Sequence, residues 1–399
     1  MKRKLILVLA LVLALALSLA GLGLAGPAAA AEPIKIGAFF ALSGPGASIG
    51  TPTKLVALMV VDHINKNGGI NGRPLELVLG DTEGEPTKAV MVFKKFATLD
   101  KVVAVIGPTR TGTGMAVKKQ IEAAHIPTVM TVGGDPVIME GKHGKMDFGT
   151  ARWVFKAPQR SSVAVQKVLD YLKKKGMTKV AVLTAGDGFG RDGARWLAKL
   201  APAAGITIVA EEQFNPSDVD MKSQLTKLAA AKPEAFICWT IGPAGAIVSK
   251  NHHALGLKAP LVQCHGLPGE RYLQLAGEAA EGDLMPGTKL MAWQALPDSD
   301  PQKKVIAEFV HLYNDVYKYN EKYPLDTHSG YAWDAVYLLA GAMQKAGTDP
   351  DKLRDALENT KDYVGISGVY NLSPTDHNGL GTDSMIMLEV KGGKFVMAD

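Results

Sequence analysis

Cysteine is nearly absent: two residues in 399 are too few for a disulfide scaffold or a thiolate metal site. Cys238 and Cys264 end the apolar runs 234–239 and 260–264, read as parallel strands that can be neighbours about 5 Å apart. An exported location would permit one bridge, but ladder-bonded strands rarely offer disulfide geometry, so two buried thiols are expected. Net charge is also small. The whole chain carries +5, and removing residues 1–31 takes away three basic and no acidic side chains, which leaves +2. A near-neutral surface argues against nucleic acid as a partner. Two catalytic signatures are missing as well, the G-x-x-x-x-G-K-[ST] phosphate loop and H-E-x-x-H. Gly186, Gly188 and Gly190 have G-x-G-x-G spacing and read as a tight strand-to-helix turn rather than a dinucleotide fingerprint. His252 and His253 have no cysteine or acid at ligand spacing and read as a solvated helical face. No catalysis, metal or cofactor is expected.

Long apolar runs are absent too, with one exception. Residues 5–26 contain no charged side chain and follow Lys2, Arg3 and Lys4. With the run Ala28 to Ala31 behind it, this reads as a secretory signal peptide, residues 1–31, cut near Ala31. The stretch is long enough to span a bilayer, so an uncleaved anchor is the alternative. Neither cysteine lies near residue 31 to carry a lipid.

The whole chain is 47% hydrophobic and 21% charged, enough for two lobes with separate cores and too apolar for disorder. Strand-like runs at 34–40, 75–79, 102–106 and 128–131 alternate with helical spacing at 55–64, 86–99 and 115–124. The first of these helices has a Thr51-Pro52 start and an Asn67-Gly68-Gly69 stop. The order then restarts, with strands at 179–183, 206–210, 235–239 and 261–264 and helices at 161–175, 191–203, 221–231 and 244–255. Residues 152–158 join the two halves. A β-type run at 283–291, helices at 302–320 and 329–346 and a hairpin at 385–390 and 395–397 follow.

This is the α/β class, with two doubly wound parallel-sheet lobes. The late helices should cover lobe 1 and the hairpin should return to lobe 2, giving three crossovers and a hinge. The expected boundaries are 32–152 plus 292–362 for lobe 1 and 153–291 plus 363–399 for lobe 2. Ligands of open α/β sheets sit beyond the carboxyl ends of the strands, so facing lobes define a cleft.

The runs Ile34-Lys35-Ile36-Gly37, Ser43-Gly44-Pro45, Asn67-Gly68-Gly69-Ile70-Asn71-Gly72-Arg73-Pro74 and Asp81-Thr82 resemble the start of a periplasmic binding protein. Val105-Ile106-Gly107-Pro108, Asp187-Gly188-Phe189-Gly190 and Ala279-Ala280-Glu281-Gly282 extend the likeness over the mature chain. The branch is the leucine/isoleucine/valine-binding type of the type 1 fold, soluble receptors of ABC importers. The resemblance implies a periplasmic, monomeric receptor that closes on a small molecule and delivers it to an inner-membrane permease.

In that family hydroxyls and backbone N–H groups of lobe 1 hold a ligand carboxylate, and a lobe 2 acid meets the ammonium. The matching lobe 1 positions are Arg110, Thr111 and Thr113 at one βα junction and Gly133 and Gly134 at the next, where free amides and the helix dipole favour an anion. Arg110 could fork to a carboxylate or form a salt bridge, and the threonines could donate to it or cap a helix from Met115. Asp135 reads as an N-cap before Pro136.

Lobe 2 departs from the pattern, with His265 where the acid is expected and Phe189 where a tyrosine is common. Neither pairs an ammonium. Asp187 could do so, or could serve its turn. Ile49 and Trp239 could wall an apolar pocket, and Trp239 could equally be core. The expected ligand is therefore a small carboxylate with an apolar or aromatic body, with an amino acid as the alternative. A sensing module for a membrane or regulatory partner is the other possible role, disfavoured by a sequence that ends just after the hairpin.

Overall fold

The structure, a computed structural model, describes residues 31–398 except 143, 144, 149 and 150. The expected leader lies, Ala31 apart, outside the described residues. Among them no helix is long and apolar enough to cross a membrane.

The first sheet is all parallel, in the order β2 (Leu75–Asp81), β1 (Ile34–Phe40), β3 (Ala104–Ile106), β4 (Thr128–Met130) and β7 (Val154–Lys156). The two strands numbered between them, β5 (Met139–Lys142) and β6 (Lys145–Phe148), form a separate hairpin. One face of the sheet packs on α1 (Ala47–Lys66) and the late helices α9 (Gln302–His311), α10 (Thr327–Ala346) and α11 (Pro350–Glu358). The other face meets α2 (Pro86–Lys95) and α3 (Thr111–Ala124). Because both faces are covered, β1 and β3 read as apolar runs with no alternation.

The second sheet is mixed, in the order β16, β15, β12, β11, β10, β8, β9. Its strands β8 (Lys179–Ala185), β9 (Thr207–Phe214), β10 (Ala235–Trp239), β11 (Leu261–Gln263) and β12 (Leu284–Gly287) are parallel, and the hairpin β15 (Ile386–Lys391) and β16 (Lys394–Met397) adds antiparallel. Helices α4 (Ser161–Lys174) and α5 (Gly188–Ala204) cover one face. Helices α6 (Lys222–Ala230) and α7 (Pro243–Ala254) cover the other, while α8 (Glu270–Ala276) follows β11.

The chain passes from the first sheet to the second after β7, returns after β12 into α9 and α10, and goes back into β15. Residues 152–158 therefore contain the edge strand of the first sheet, and the first crossing falls after Lys156, not at 152. The short pair β13 (Tyr363–Val364) and β14 (Val369–Tyr370) likewise belongs with the first core, to which Ile366 and Leu372 contribute, so lobe 1 extends past residue 362. Outgoing and returning segments are bonded to each other. Tyr370 Oη donates to the Ala157 carbonyl at 2.6 Å, and Asn378 Nδ2 donates to those of Lys156 at 3.0 Å and Pro158 at 2.8 Å.

Several helix starts lie earlier than the sequence suggests. Helix α1 begins at Ala47 with Pro52 inside it. Helix α3 begins at Thr111, because extended Arg110 caps it and Thr113 Oγ1 donates to the Arg110 carbonyl at 2.7 Å. The run expected at 302–320 is helical only to His311 and then widens into a π-turn, Leu312–Val316. Cys238 and Cys264 are free buried thiols, with Cys264 Sγ donating to the Thr240 carbonyl at 2.8 Å. Burial pushes the Cys264 thiol up to about 12. His252 is half-buried rather than solvated, its Nε2 2.9 Å from the Ala259 carbonyl and its ring edge-on to Phe236.

Candidate functional site

The carboxyl ends of β3 and β4 face those of β8, β10 and β11 across a narrow cavity. From the first lobe Thr109, Thr111, Thr131 and Gly133 line it. The second lobe contributes Phe189, Ile241, His265 and Gly266, and α10 adds His328 and Tyr331 one turn apart. Its free volume is about 10 Å³, room for about one water-sized group. A wider space of about 390 Å³ adjoins it past Ile241, and one of about 130 Å³ past Gly266 and His328.

The threonine hydroxyls are oriented by backbone. Thr109 Oγ1 accepts from the Ala41 N–H at 2.9 Å, and Thr111 Oγ1 accepts from the Gly134 N–H at 3.2 Å. Each therefore keeps its own O–H to donate. Thr131 Oγ1 donates to the Pro108 carbonyl at 2.9 Å. The first-turn amides of α3 emerge beside Thr111, where a helix N-terminus favours an anion.

The opposite wall is aromatic and neutral. His265 is 1% exposed. Its ring lies 5.4 Å from Phe189 and 5.6 Å from Trp239. Burial, helped by the charge of Lys156, holds its imidazole well below the usual histidine range. Among the described residues neither of its ring nitrogens, nor His328 Nδ1, has a hydrogen-bond partner. His328 Nε2 lies 3.1 Å from the Gly266 carbonyl, a contact between lobes. Gly133 admits this wall: a Cβ there would sit 2.7 Å from Phe189 Cε2 and 3.0 Å from His265 Nε2.

Of the residues singled out in the sequence, Thr111, Gly133, Phe189 and His265 meet at this cavity. The others do not. Thr113 is turned into its own helix, and the Gly134 amide is taken by Thr111. Trp239 is fully buried in the second core. Ile49 lines the two outer spaces. Arg110 Nη2 and Asp187 Oδ2 form an ion pair across the lobes at 3.2 Å, while Asp187 Oδ1 caps α5 through the Phe189 and Gly190 N–H groups. Asp187 is thus committed to a turn and to Arg110. Thr109, Thr131, Ile241, Gly266, His328 and Tyr331 were not singled out. Thr109 immediately precedes Arg110, but nothing local in α10 marks His328 or Tyr331.

Asp135 does more than start the turn at Pro136. Its carboxylate crosses to the second lobe and accepts from the Ser161 N–H at 2.6 Å and the Ser162 N–H at 3.1 Å, capping α4. Its own N–H donates to Asp192 Oδ2 at 2.8 Å, and Lys156 Nζ lies 3.7 Å from its Oδ1. Burial lowers Lys156 to about 8 and raises Asp192 to about 6.

The sequence also contains G-x-S-x-G spacing at residues 46–50. Ser48 lies in the first turn of α1, several residues beyond the end of β1, rather than on a hydrolase strand-to-helix elbow. Gly50 is there for packing, since a Cβ would come within 2.1 Å of the Ala41 carbonyl oxygen.

Two doubly wound lobes, three crossings and an interlobe cavity define a hinged solute-binding protein. The family model described as "Periplasmic binding protein" matches residues 33–394, and the chain belongs to that family. Its members are substrate-binding proteins, not enzymes, and the family is a periplasmic one. The "Leu/Ile/Val-binding protein BraC3" of Rhizobium johnstonii is 26% identical over 92% of this chain and 94% of its own. A "Leucine-, isoleucine-, valine-, threonine-, and alanine-binding protein" of Pseudomonas aeruginosa is 27% identical over 84% of each. Among solved structures, an extracellular ligand-binding receptor from Rhodopseudomonas palustris superposes with a TM-score of 0.83 at 28% identity, covering 92% of this chain and 100% of that one. LivJ from Streptococcus pneumoniae, in complex with isoleucine, gives 0.78 at 26% identity, covering 92% and 99%.

Proposed function

We propose that this chain is the extracytoplasmic receptor of an ABC importer, exported by a leader over residues 1–31, which closes as a monomer on a small carboxylate with an apolar or aromatic body and delivers it to a membrane permease. The carrying observation is the pair of threonine O–H groups, Thr109 and Thr111, held at the N-terminus of α3 and facing Phe189 and Ile241. Charge-assisted bonds from such donors contribute roughly 1.5 to 3 kcal/mol each. The names of the relatives favour a second reading, a branched-chain amino acid. Against it stands a cavity with no carboxylate in its lining among the described residues, since a buried ammonium without a counter-charge is unfavourable by several kcal/mol.

Thermal unfolding of residues 32–399 with 4-methylpentanoate and with its amide tests the carboxylate. A ligand at 100 times its dissociation constant adds about 2.7 kcal/mol. The acid should raise the unfolding temperature and the amide should not. Equal shifts would remove the carboxylate from the proposal.

A further inference from the structure

We infer that His265 and His328 form a second recognition pole that takes an uncharged oxygen on the carbon next to the ligand carboxylate, so that 2-hydroxy and 2-oxo acids are bound in preference to the matching α-amino acids. The inference rests on the carboxylate reading above and adds the chemistry of the opposite wall.

Two observations carry it. The first is polar supply and demand. The Gly266 carbonyl can only accept, so His328 Nε2 carries the proton of its 3.1 Å contact. In the neutral ring His328 Nδ1 then presents a lone pair, and it has no partner among the described residues. A neutral His265 presents one N–H and one lone pair, both buried and both unpartnered among the described residues. A hydroxyl fits this set because it can donate to one imidazole lone pair while accepting from the His265 N–H. A keto oxygen satisfies the His265 N–H alone. An ammonium can only donate: it can reach the imidazole lone pairs, but it leaves the His265 N–H without an acceptor and finds no carboxylate in the lining of the inner cavity.

The second observation is position. His265 Nε2 would lie 3.0 Å from a Cβ on Gly133, at the end of β4 and beside the Thr111 cradle. The imidazole therefore reaches the carbon adjoining the carboxylate rather than the far end of the ligand body. In this arrangement the inner cavity has room for about one water-sized group, so the carboxylate and its neighbouring oxygen enter only with the lobes farther apart, and the ligand body extends past Ile241 into a space where Ile49, Val219 and Ile247 stand beside Arg110, Asp187 and Asp218.

Isothermal titration of residues 32–399 with four acids on one carbon skeleton tests this: 4-methylpentanoate, 2-hydroxy-4-methylpentanoate, 4-methyl-2-oxopentanoate and leucine. The hydroxy acid should bind roughly ten- to hundredfold more tightly than the unsubstituted acid, as for a buried donor given or denied its partner, and more tightly still than leucine. In His265→Phe, which keeps the ring volume and removes both nitrogens, the ratio between hydroxy and unsubstituted acid should fall towards one. His328→Leu, on a half-buried helical position, should lower that ratio as well. Leucine bound as tightly as the hydroxy acid by the unmodified protein would overturn the inference and leave a receptor for carboxylates standing. Unsubstituted acid bound as tightly as the hydroxy acid would overturn it too. If none of the four binds, the carboxylate reading itself fails and takes the inference with it.

Discussion

Asp135 shows how one side chain serves both lobes. It belongs to the first lobe by sequence, caps the first helix of the second, and is fully buried beside Lys156, which donates to the Gln159 carbonyl at 2.6 Å. Replacing one member of a buried pair leaves the other charge uncompensated, and such losses run to about 3 to 5 kcal/mol. Asp135→Ala should therefore lower the urea-unfolding free energy by about that much at pH 7, and the double variant Asp135→Ala with Lys156→Met should recover a good part of it. A single-variant loss under about 1 kcal/mol would show that the cap and the ion pair contribute little. The Arg110 and Asp187 pair is different, since both side chains are 23% exposed and such pairs contribute at most about 1 kcal/mol. Of the candidate residues, those legible in the sequence sit within five residues of a strand's carboxyl end, in the loop or the first helical turn that follows: Thr111, Gly133, Phe189 and His265. The junction that follows a strand is readable from periodicity. The direction of a side chain is not, which is why the sequence left Thr113 open between ligand donor and helix cap and Trp239 between pocket wall and core, since one residue along a helix or strand decides between cleft and core.

At the scale of elements, β12 begins where α7 and α8 meet it through one buried acid. Asp283 Oδ2 accepts from Ser249 Oγ at 2.6 Å and from the Tyr272 hydroxyl. Burial outweighs these bonds and raises the Asp283 carboxyl to about 7. The folded value lies above the unfolded one, near 4. Below pH 4 both states are protonated, and between about 4 and 7 the folded state binds more protons than the unfolded, so this group's contribution to stability is lost as pH rises through that window. Asp283→Asn, which does not ionise, should gain on the parent steadily from pH 4 to 7 in urea-unfolding measurements. A constant difference across that range would mean that Asp283 titrates normally. The strands and most helices were legible because parallel, doubly covered strands are plain apolar runs, as in β1 and β10, whose limits match the sequence reading. The edge strand β7, the hairpin of β5 and β6 and the short pair β13 and β14 were not. Unlike the equally short β3, β4 and β11, which lie within longer apolar or β-rich runs, these two- to four-residue strands have no such run around them, and their pairing is decided by distant partners such as His377, whose carbonyl takes the Lys156 N–H at 3.0 Å.

For the whole molecule, the lobes touch through Arg110 with Asp187, Asp135 with Asp192, and His328 with the Gly266 carbonyl. The inner cavity between them has about 10 Å³. No carboxylate with an apolar body can enter without separation of the lobes, and the three crossings, of which the first and third are bonded to each other, restrict that separation to a hinge-like opening. Ligand contacts to both walls then favour the closed arrangement, by as much as the ligand's affinity for the two arrangements differs. Gly133 sets how far closure can go. Its backbone is not in the left-handed region, so Gly133→Ala is compatible with the fold of its own lobe. The new Cβ meets Phe189 Cε2 at 2.7 Å and His265 Nε2 at 3.0 Å, and both of these belong to the other lobe. Small-angle scattering should show the parent contracting when saturated with 2-hydroxy-4-methylpentanoate. The variant should contract less and bind at least about tenfold more weakly, roughly 1.4 kcal/mol, with its urea midpoint little changed. If the parent's radius of gyration is the same with and without ligand, a large hinge motion is excluded. If the variant closes fully and binds as the parent does, the contact of Gly133 with Phe189 and His265 does not limit closure.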